Sequence, residues 1–265
     1  MENNKTEMVV FDWAGTTVDY GSAAPHTVFD RVFTNHSIHL TPEEIDKPMG
    51  MEKRAHIRSL LSCPSGAAQF EQINSRRWDE KDVDSYYEEF EKTLYDVVAE
   101  FSSPIDGTVE TVNLLRSKGL KIASTTGYTS QIMERVIPKA REAGYEADVV
   151  MTPDIVGASR PTPFMIFACM QKLNVYPPCH VVKVGDTVVD MQEGKNAGAW
   201  SIGILKGSNL LGLTEEQYDS MPVEELSALE AKATRIYYEA GADYVIDSIH
   251  DLPAAIDEIN SRLCR

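Results

Sequence analysis

The chain has 265 residues, 43% of them hydrophobic, and a formal net charge of −16. That length suits one large domain or a domain carrying an insertion, and the hydrophobic share suits a soluble protein with a proper core. The acidity argues against nucleic acid and anionic membranes as partners, and no apolar run approaches the roughly 18 residues of a membrane span.

The opening MENNKTE lacks the basic-then-apolar order of a secretory signal. Cys63, Cys169, Cys179 and Cys264 are scattered without CxxC spacing, which reads as reduced thiols in a cytoplasmic protein. An anionic substrate would need a locally basic pocket against this acidic background, so the few basic residues in loops carry extra weight.

The first strand-like run is MVVFDW (8–13), which delivers Asp12 into a turn holding Ala14 and Thr16. Residues 21–100 then contain no convincing strand and read as helices over 25–35, 42–46, 48–62 and 81–99. Within 48–62, Met49, Lys53, His56, Ile57 and Leu60 recur at helical spacing and share one predicted face. FSSPIDG (101–107) has the chemistry of a return linker. Strand-like runs follow at 120–126, 147–152, 181–186, 199–205 and 242–247, with helical stretches at 106–118, 129–143, 162–174 and 187–197. A second helical excursion, 206–241, opens on a capping box at Thr214 and Gln217 and stops at Gly241.

This alternation of apolar strands and helices predicts an α/β fold: a Rossmann-like parallel sheet with helices on both faces. The core would comprise 1–20 and 101–265, and 21–100 an inserted all-helical cap domain. Ligands in such sheets sit beyond the carboxyl ends of the strands, where Asp12, Thr126, Thr152 and Asp186 all fall.

Four loops at those ends suit phosphoryl chemistry. Asp12 alone is either a turn carboxylate or a nucleophile. Thr126 and the Gly127 N–H, opening a helix, suit a phosphoryl oxygen. GDTVVD (185–190) places Asp186 and Asp190 where a metal needs carboxylates, and Arg160 in GASRPTP (157–163) supplies a cation. An attacking carboxylate and a phosphoryl dianion repel each other, which calls for a hard divalent cation such as Mg²⁺. Lys53, on a face with Met49 and Ile57, is either a partly desolvated reactive amine or a snorkelling surface lysine. His56, one turn on, is either a proton shuttle or a solvated side chain. Tyr128, Ser22, Gly50 and Asp190 are secondary candidates, and His180 reads as structural.

The order of these segments resembles the haloacid dehalogenase superfamily, except that the second Asp of its Asp-x-Asp-x-Thr motif is Ala14. In detail, FDWAGTTVDYG (11–21), KPMGMEKRAHIR (47–58), STTGYT (124–129), TPDIVGASRPTP (152–163) and KVGDTVVDMQEGKNAGAW (183–200) resemble the phosphonoacetaldehyde hydrolase family. That resemblance implies hydrolysis of a carbon–phosphorus bond to acetaldehyde and phosphate, within 2-aminoethylphosphonate degradation. It implies Asp12 as nucleophile and Lys53 as Schiff-base lysine. It also implies one Mg²⁺ per subunit on Asp12, the Ala14 carbonyl and Asp186, with Thr126, Gly127, Arg160, His56, Met49 and Tyr128 around the substrate. A homodimer is implied too, and Met- and aromatic-containing cap helices offer a pairing surface. The alternatives are a phosphate-ester phosphatase or phosphosugar mutase of the same fold, and a non-catalytic phosphoryl-binding relic. The missing acid at position 14 and the added lysine at 53 explain each other: an iminium turns the departing carbanion into a neutral enamine, which needs no acid. Hinge movement is expected near 19–22 and 100–104.

Overall fold

A computed structural model of the chain describes residues 5–49 and 51–263. Gly50, expected to allow close backbone approach, and Cys264 lie outside these residues.

The chain opens with β1 (Met8–Phe11). A run of helices follows over 21–100: α1 (Ala23–Asn35), α2 (Pro42–Asp46), α3 (Lys53–Ser62), α4 (Pro64–Asn74) and α5 (Glu80–Val97). The alternating part runs α6 (Thr108–Ser117), β2 (Lys121–Thr125), α7 (Ser130–Glu142), β3 (Val149–Met151), α8 (Pro153–Val156), α9 (Phe164–Leu173), β4 (Val181–Gly185), α10 (Val188–Ala197) and β5 (Trp200–Ile204). It closes with α11 (Glu215–Ser220), α12 (Val223–Ala240), β6 (Tyr244–Ile246) and α13 (Leu252–Leu263). Each strand expected from the sequence is found, trimmed by one to three residues at its ends. The capping box at Thr214 and the Gly241 stop are also present.

The sheet is parallel in the order β3-β2-β1-β4-β5-β6. The order reverses between β1 and β4, which makes their carboxyl ends the switch point where a ligand crevice forms. Phe11 pairs with both Ser124 and Val184, so Asp12, Thr126 and Asp186, one or two residues further on, converge. Side-chain alternation assigns the faces. Val9 and Phe11 join Val182 and Val184 against α6, α7 and α13. Met8, Val10 and Val181 face α9. Lys183 therefore points to the α9 and α10 side, where it is fully buried.

The helices between β1 and β2 share a core of Phe29, Phe33, Phe90, Ile57, Leu60 and Leu94. Within it Phe29 stacks on Phe90 at 4.3 Å, and Phe33 meets Tyr86 edge-on. Among the described residues the exposed aromatics are Phe164 and Phe167 on α9, Tyr176 just after it, and Tyr238 on α12. The expected helix over 48–62 is also shorter. Glu52 caps it with its side chain, so α3 starts at Lys53 and Met49 sits in the preceding turn. Met49 therefore does not share a helix face with Lys53. Among the described residues no helix is long and apolar enough to cross a membrane.

Candidate active site

Asp12 leaves β1 with its N–H donated to the Val184 carbonyl at 2.9 Å, which clamps its backbone to β4. Its carboxylate is 4% exposed, and Oδ2 lies 3.1 Å from the Arg160 guanidinium. Burial pushes this carboxyl above its ordinary range, Arg160 and Lys183 pull it down, and Asp190 pushes it up. Arg160 pairs simultaneously with Asp190, while its Nε has no hydrogen-bond partner among the described residues. Burial disfavours its charge, but Asp12 and Asp190 more than restore it. It is a fixed cation with a donor to spare, as an incoming anion requires.

Asp186 is fully buried, accepting from the Thr16 hydroxyl and from the Asn209 backbone N–H, each at 3.0 Å. Among the described residues no cation pairs with it, and burial together with Asp12 and Asp190 raises its carboxyl well above the ordinary range. Gly15 makes the tight turn possible: φ is +81°, and a Cβ there would stand 2.1 Å from Asp186 Oδ2. Oxygens of Asp12, Asp186 and Asp190 lie within 4.8 Å of one another. Asp190 is spent on Arg160, Lys183 and Thr187, which leaves Asp12 and Asp186 as two buried carboxylates with too little positive charge between them. That donor set fits a hard divalent cation.

Behind this surface runs a network that the sequence reading found only in part. Lys183 Nζ lies 2.9 Å from Asp190, 3.2 Å from Glu193 and 2.8 Å from the Thr125 hydroxyl. Thr125 donates in turn to Glu193 at 2.9 Å. Asp190 and Glu193 are three residues apart on α10 and so share the face that covers Lys183. Against burial, which raises it, Arg160 and Lys183 hold Asp190 at about 2. The sequence suggests Asp190 as a group that orients Asp186 or Lys183, and the Lys183 contact is present; Glu193 and Thr125 were not foreseen.

The region of α1 and α3 supplies the opposite wall. Lys53, the first residue of α3, is 5% exposed. Among the described residues no carboxylate lies within 4.0 Å of its Nζ; the Tyr128 and Phe29 rings stand 5.4 and 5.7 Å away. Burial, then the nearby Arg160, lowers its ammonium to about 8. Lys53, Asp12, Ala14, Ser22, Met49, Thr126, Gly127, Tyr128, Arg160 and Thr187 line one cavity of about 20 Å³. That is room for about one water molecule, so a substrate enters only if the walls part. A cavity of about 650 Å³ between α2, α3 and α4 holds none of these groups.

Several candidates sit differently from expectation. His56 does not line the cavity; its Nε2 is 2.8 Å from the Ile45 carbonyl and its ring lies 3.9 Å from Phe29. Burial, then Lys53, lowers its pKa well below the ordinary value, so it is neutral. Gly127 precedes the Thr129 cap of α7 by two residues and so stands ahead of that helix. Thr126 accepts the Tyr128 N–H at 3.1 Å, which shapes the loop while its own proton stays available. Ser22 does not cap α1 with its side chain but faces the cavity, and Asp19 binds the α1 N–H groups of Ala23 and Ala24 instead. His180 pairs with Glu7 at 2.8 Å, away from the cavity. Thr187 and Asn209 were not foreseen; both lie in loops whose contact with the site depends on the fold.

The haloacid dehalogenase-like hydrolase family matches residues 6–198. A phosphonoacetaldehyde hydrolase of Bacillus cytotoxicus is 45% identical over 97% of this chain and 98% of its own length. One from Bacteroides fragilis is 45% identical over 98% of each chain. The crystal structure of a phosphonoacetaldehyde hydrolase-like protein from Oleispira antarctica is 33% identical, covers 97% of this chain and 94% of its own, and superposes with a TM-score of 0.95. This chain is a hydrolase and belongs to the phosphonoacetaldehyde hydrolase family of haloacid dehalogenase-like enzymes.

Proposed function

We propose that this hydrolase cleaves the carbon–phosphorus bond of phosphonoacetaldehyde, giving acetaldehyde and phosphate, through a Lys53 imine and an Asp12 aspartyl phosphate. The observation that carries this reading is the pairing of Ala14 with Lys53. Where an ester phosphatase needs an acid, the turn offers an alanine, and across the same cavity stands a buried amine without a carboxylate partner.

The chemistry balances on these residues. Lys53 Nζ condenses with the aldehyde carbonyl and water leaves. Protonated, the resulting imine is an electron sink next to the carbon that bears phosphorus. Asp12 attacks phosphorus; the electron pair of the breaking bond moves onto carbon and then into the iminium, giving a neutral enamine. Protonation of that carbon and hydrolysis of the imine release acetaldehyde. Water hydrolyses the aspartyl phosphate, returning Asp12. Arg160, paired with Asp12 and carrying an unpartnered Nε, would hold the phosphoryl oxygens, with Thr126 and the Gly127 backbone beside it. Asp12, Asp186 and the Ala14 carbonyl would hold one Mg²⁺, which when bound offsets the repulsion between carboxylate and phosphoryl dianion. Met49 and Tyr128 would exclude water around Lys53.

Residues 21–100 would act as a cap over a core of 1–20 and 101–265, with the hinge at 19–22 and 100–104. Two observations support motion there: the cavity is too small for the substrate, and Asp19, Gly21 and Ser22 all have left-handed backbone. We place the enzyme in the cytoplasm as a homodimer, with the cap helices as the pairing surface.

Borohydride trapping with phosphonoacetaldehyde, followed by peptide mass mapping, tests this reading. A reduced adduct on Lys53, with activity lost in step, is the expected result. An intact, metal-loaded protein that gives no adduct would return the chain to ester hydrolysis or to phosphoryl binding without turnover.

A further inference from the structure

Glu52 stands immediately before the site lysine and belongs to none of the assignments above. It is the N-cap of α3, with non-helical φ −57° and ψ 138°. Its carboxylate spans the first turn: Oε1 accepts the Arg54 N–H at 2.8 Å and Oε2 the Ala55 N–H at 2.9 Å. Its carbonyl accepts the His56 N–H at 2.9 Å. These three bonds fix where the helix begins, and a side chain's direction follows from where its residue sits in the first turn. Without them the helix start is free to drift towards Met49, which rotates Lys53 away from Asp12.

The same carboxylate acts on charge. A helix N-terminus carries about half a positive charge, so an ammonium on the first residue is disfavoured. Arg160 opposes it as well, from the core. Facing Lys53 on the favourable side are Asp12 and Asp186 from the strand ends, Asp19 from the turn before α1, Glu91 from α5, and Glu52. His56 on α3 and Tyr128 after β2 face it as neutral groups. Asp12 and Asp186 belong to the sheet, so they recede if the cap opens. Glu52 is joined to Lys53 by a peptide bond and stays.

We propose that Glu52 is a positioning residue for the Lys53 amine, fixing the start of α3 and keeping one carboxylate on the adjoining residue, beyond ion-pair distance of the amine, in every cap position. This rests on the reading of Lys53 as the imine-forming lysine. The fixed carboxylate also favours the cationic iminium over the neutral amine, so its effect persists after the substrate is bound.

The test is competitive labelling of amines with trace acetic anhydride across neutral to alkaline pH, with Lys53 read by peptide mass mapping. It uses the full-length protein without substrate. Glu52→Gln keeps an oxygen acceptor for the cap but removes the charge; Glu52→Asp keeps both. The expected result is a labelling midpoint lower by about half a pH unit in the Gln variant and restored in the Asp variant. Glu52→Ala, which loses both functions, should also lose about tenfold in kcat with KM little changed. A Gln variant with the wild-type midpoint and wild-type kcat would overturn the proposal. Labelling needs no imine, so a normal midpoint shift without a borohydride adduct would sink the Schiff-base reading and leave the role of Glu52 standing.

Discussion

The two walls of the cavity treat charge in opposite ways. On the sheet side Asp12, Arg160, Asp190, Lys183 and Glu193 form an unbroken chain of alternating charges, all buried. On the helical side Lys53 is equally buried but has aromatic rings for neighbours and no ion-pair partner among the described residues. Paired ions hold their charge and geometry, which suits binding a phosphoryl dianion. A lone buried ammonium gives up its proton easily, which suits a nucleophilic amine. The same degree of burial thus makes one cation, Arg160, permanent and the other, Lys53, labile.

The sharpest way to break this contrast is Lys53→Arg, which keeps the charge and removes the nucleophile. Carbon–phosphorus cleavage should fall by at least about 10³-fold, with inhibition by inorganic phosphate nearly unchanged. Phosphate release and product inhibition measure the two, and a variant retaining a tenth of the activity would contradict the labile-amine reading. Asp190→Asn attacks the other wall. Removing one member of a buried ionic chain should cost about 3–5 kcal/mol of stability and loosen Arg160, with activity falling about 10²-fold. Denaturant unfolding and phosphate affinity would show whether Asp190 organises the site. Ala14→Asp restores the absent acid within a cavity of about 20 Å³. Cleavage of the phosphonate should drop about tenfold or more while hydrolysis of p-nitrophenyl phosphate rises. If both activities fall together, the alanine is a matter of space alone.

Two smaller effects concern pH. With Lys53 lowered to about 8, the free amine is scarce below that value and dominant above it, so kcat/KM should rise with pH through an acid limb near 8. A profile flat from pH 6 to 9 would mean that the amine is already neutral or is not needed. Asp19, at the junction of the two walls, is raised to about 7 chiefly by burial. A carboxyl raised on folding contributes stability that is present at acid pH and lost as pH climbs through the folded value. Asp19→Asn should therefore raise the melting temperature relative to wild type by a few degrees more at pH 8.5 than at pH 5.5. Equal differences at both pH values would rule out ionised Asp19 as a source of strain.

The part of the site most legible in the sequence is the part built on strands. Short, nearly all-apolar runs ending in Asp12, Thr126 and Asp186 announce a parallel sheet and the positions at its carboxyl edge, because strand direction alone dictates what lies there. The helical wall was harder to read. Apolar spacing joined Met49 to Lys53 in one helix, but the Glu52 side chain outcompeted that pattern and moved the helix start. Helical spacing also aligned His56 with Lys53, yet the His56 ring turned to the Ile45 carbonyl and Phe29, partners 11 and 27 residues away in the chain. Lys183 was legible only as a group that Asp190 could orient, and Glu193 went unassigned, because a buried charge is tolerable only beside its counter-charge and that neighbour is invisible until α10 lies across β4.

By itself, the sequence determined the order of strands and helices, the carboxylates and hydroxyls at the sheet's edge, and the exchange of an acid at Ala14 for a lysine at Lys53. These depend on local periodicity and on residue identity. Only the tertiary structure decided which charges are paired and which stand alone, how little space the site encloses, and that Met49 reaches it from a turn. Those depend on distances and burial between segments far apart in the chain, and the interaction of charges inside a protein is set by those quantities.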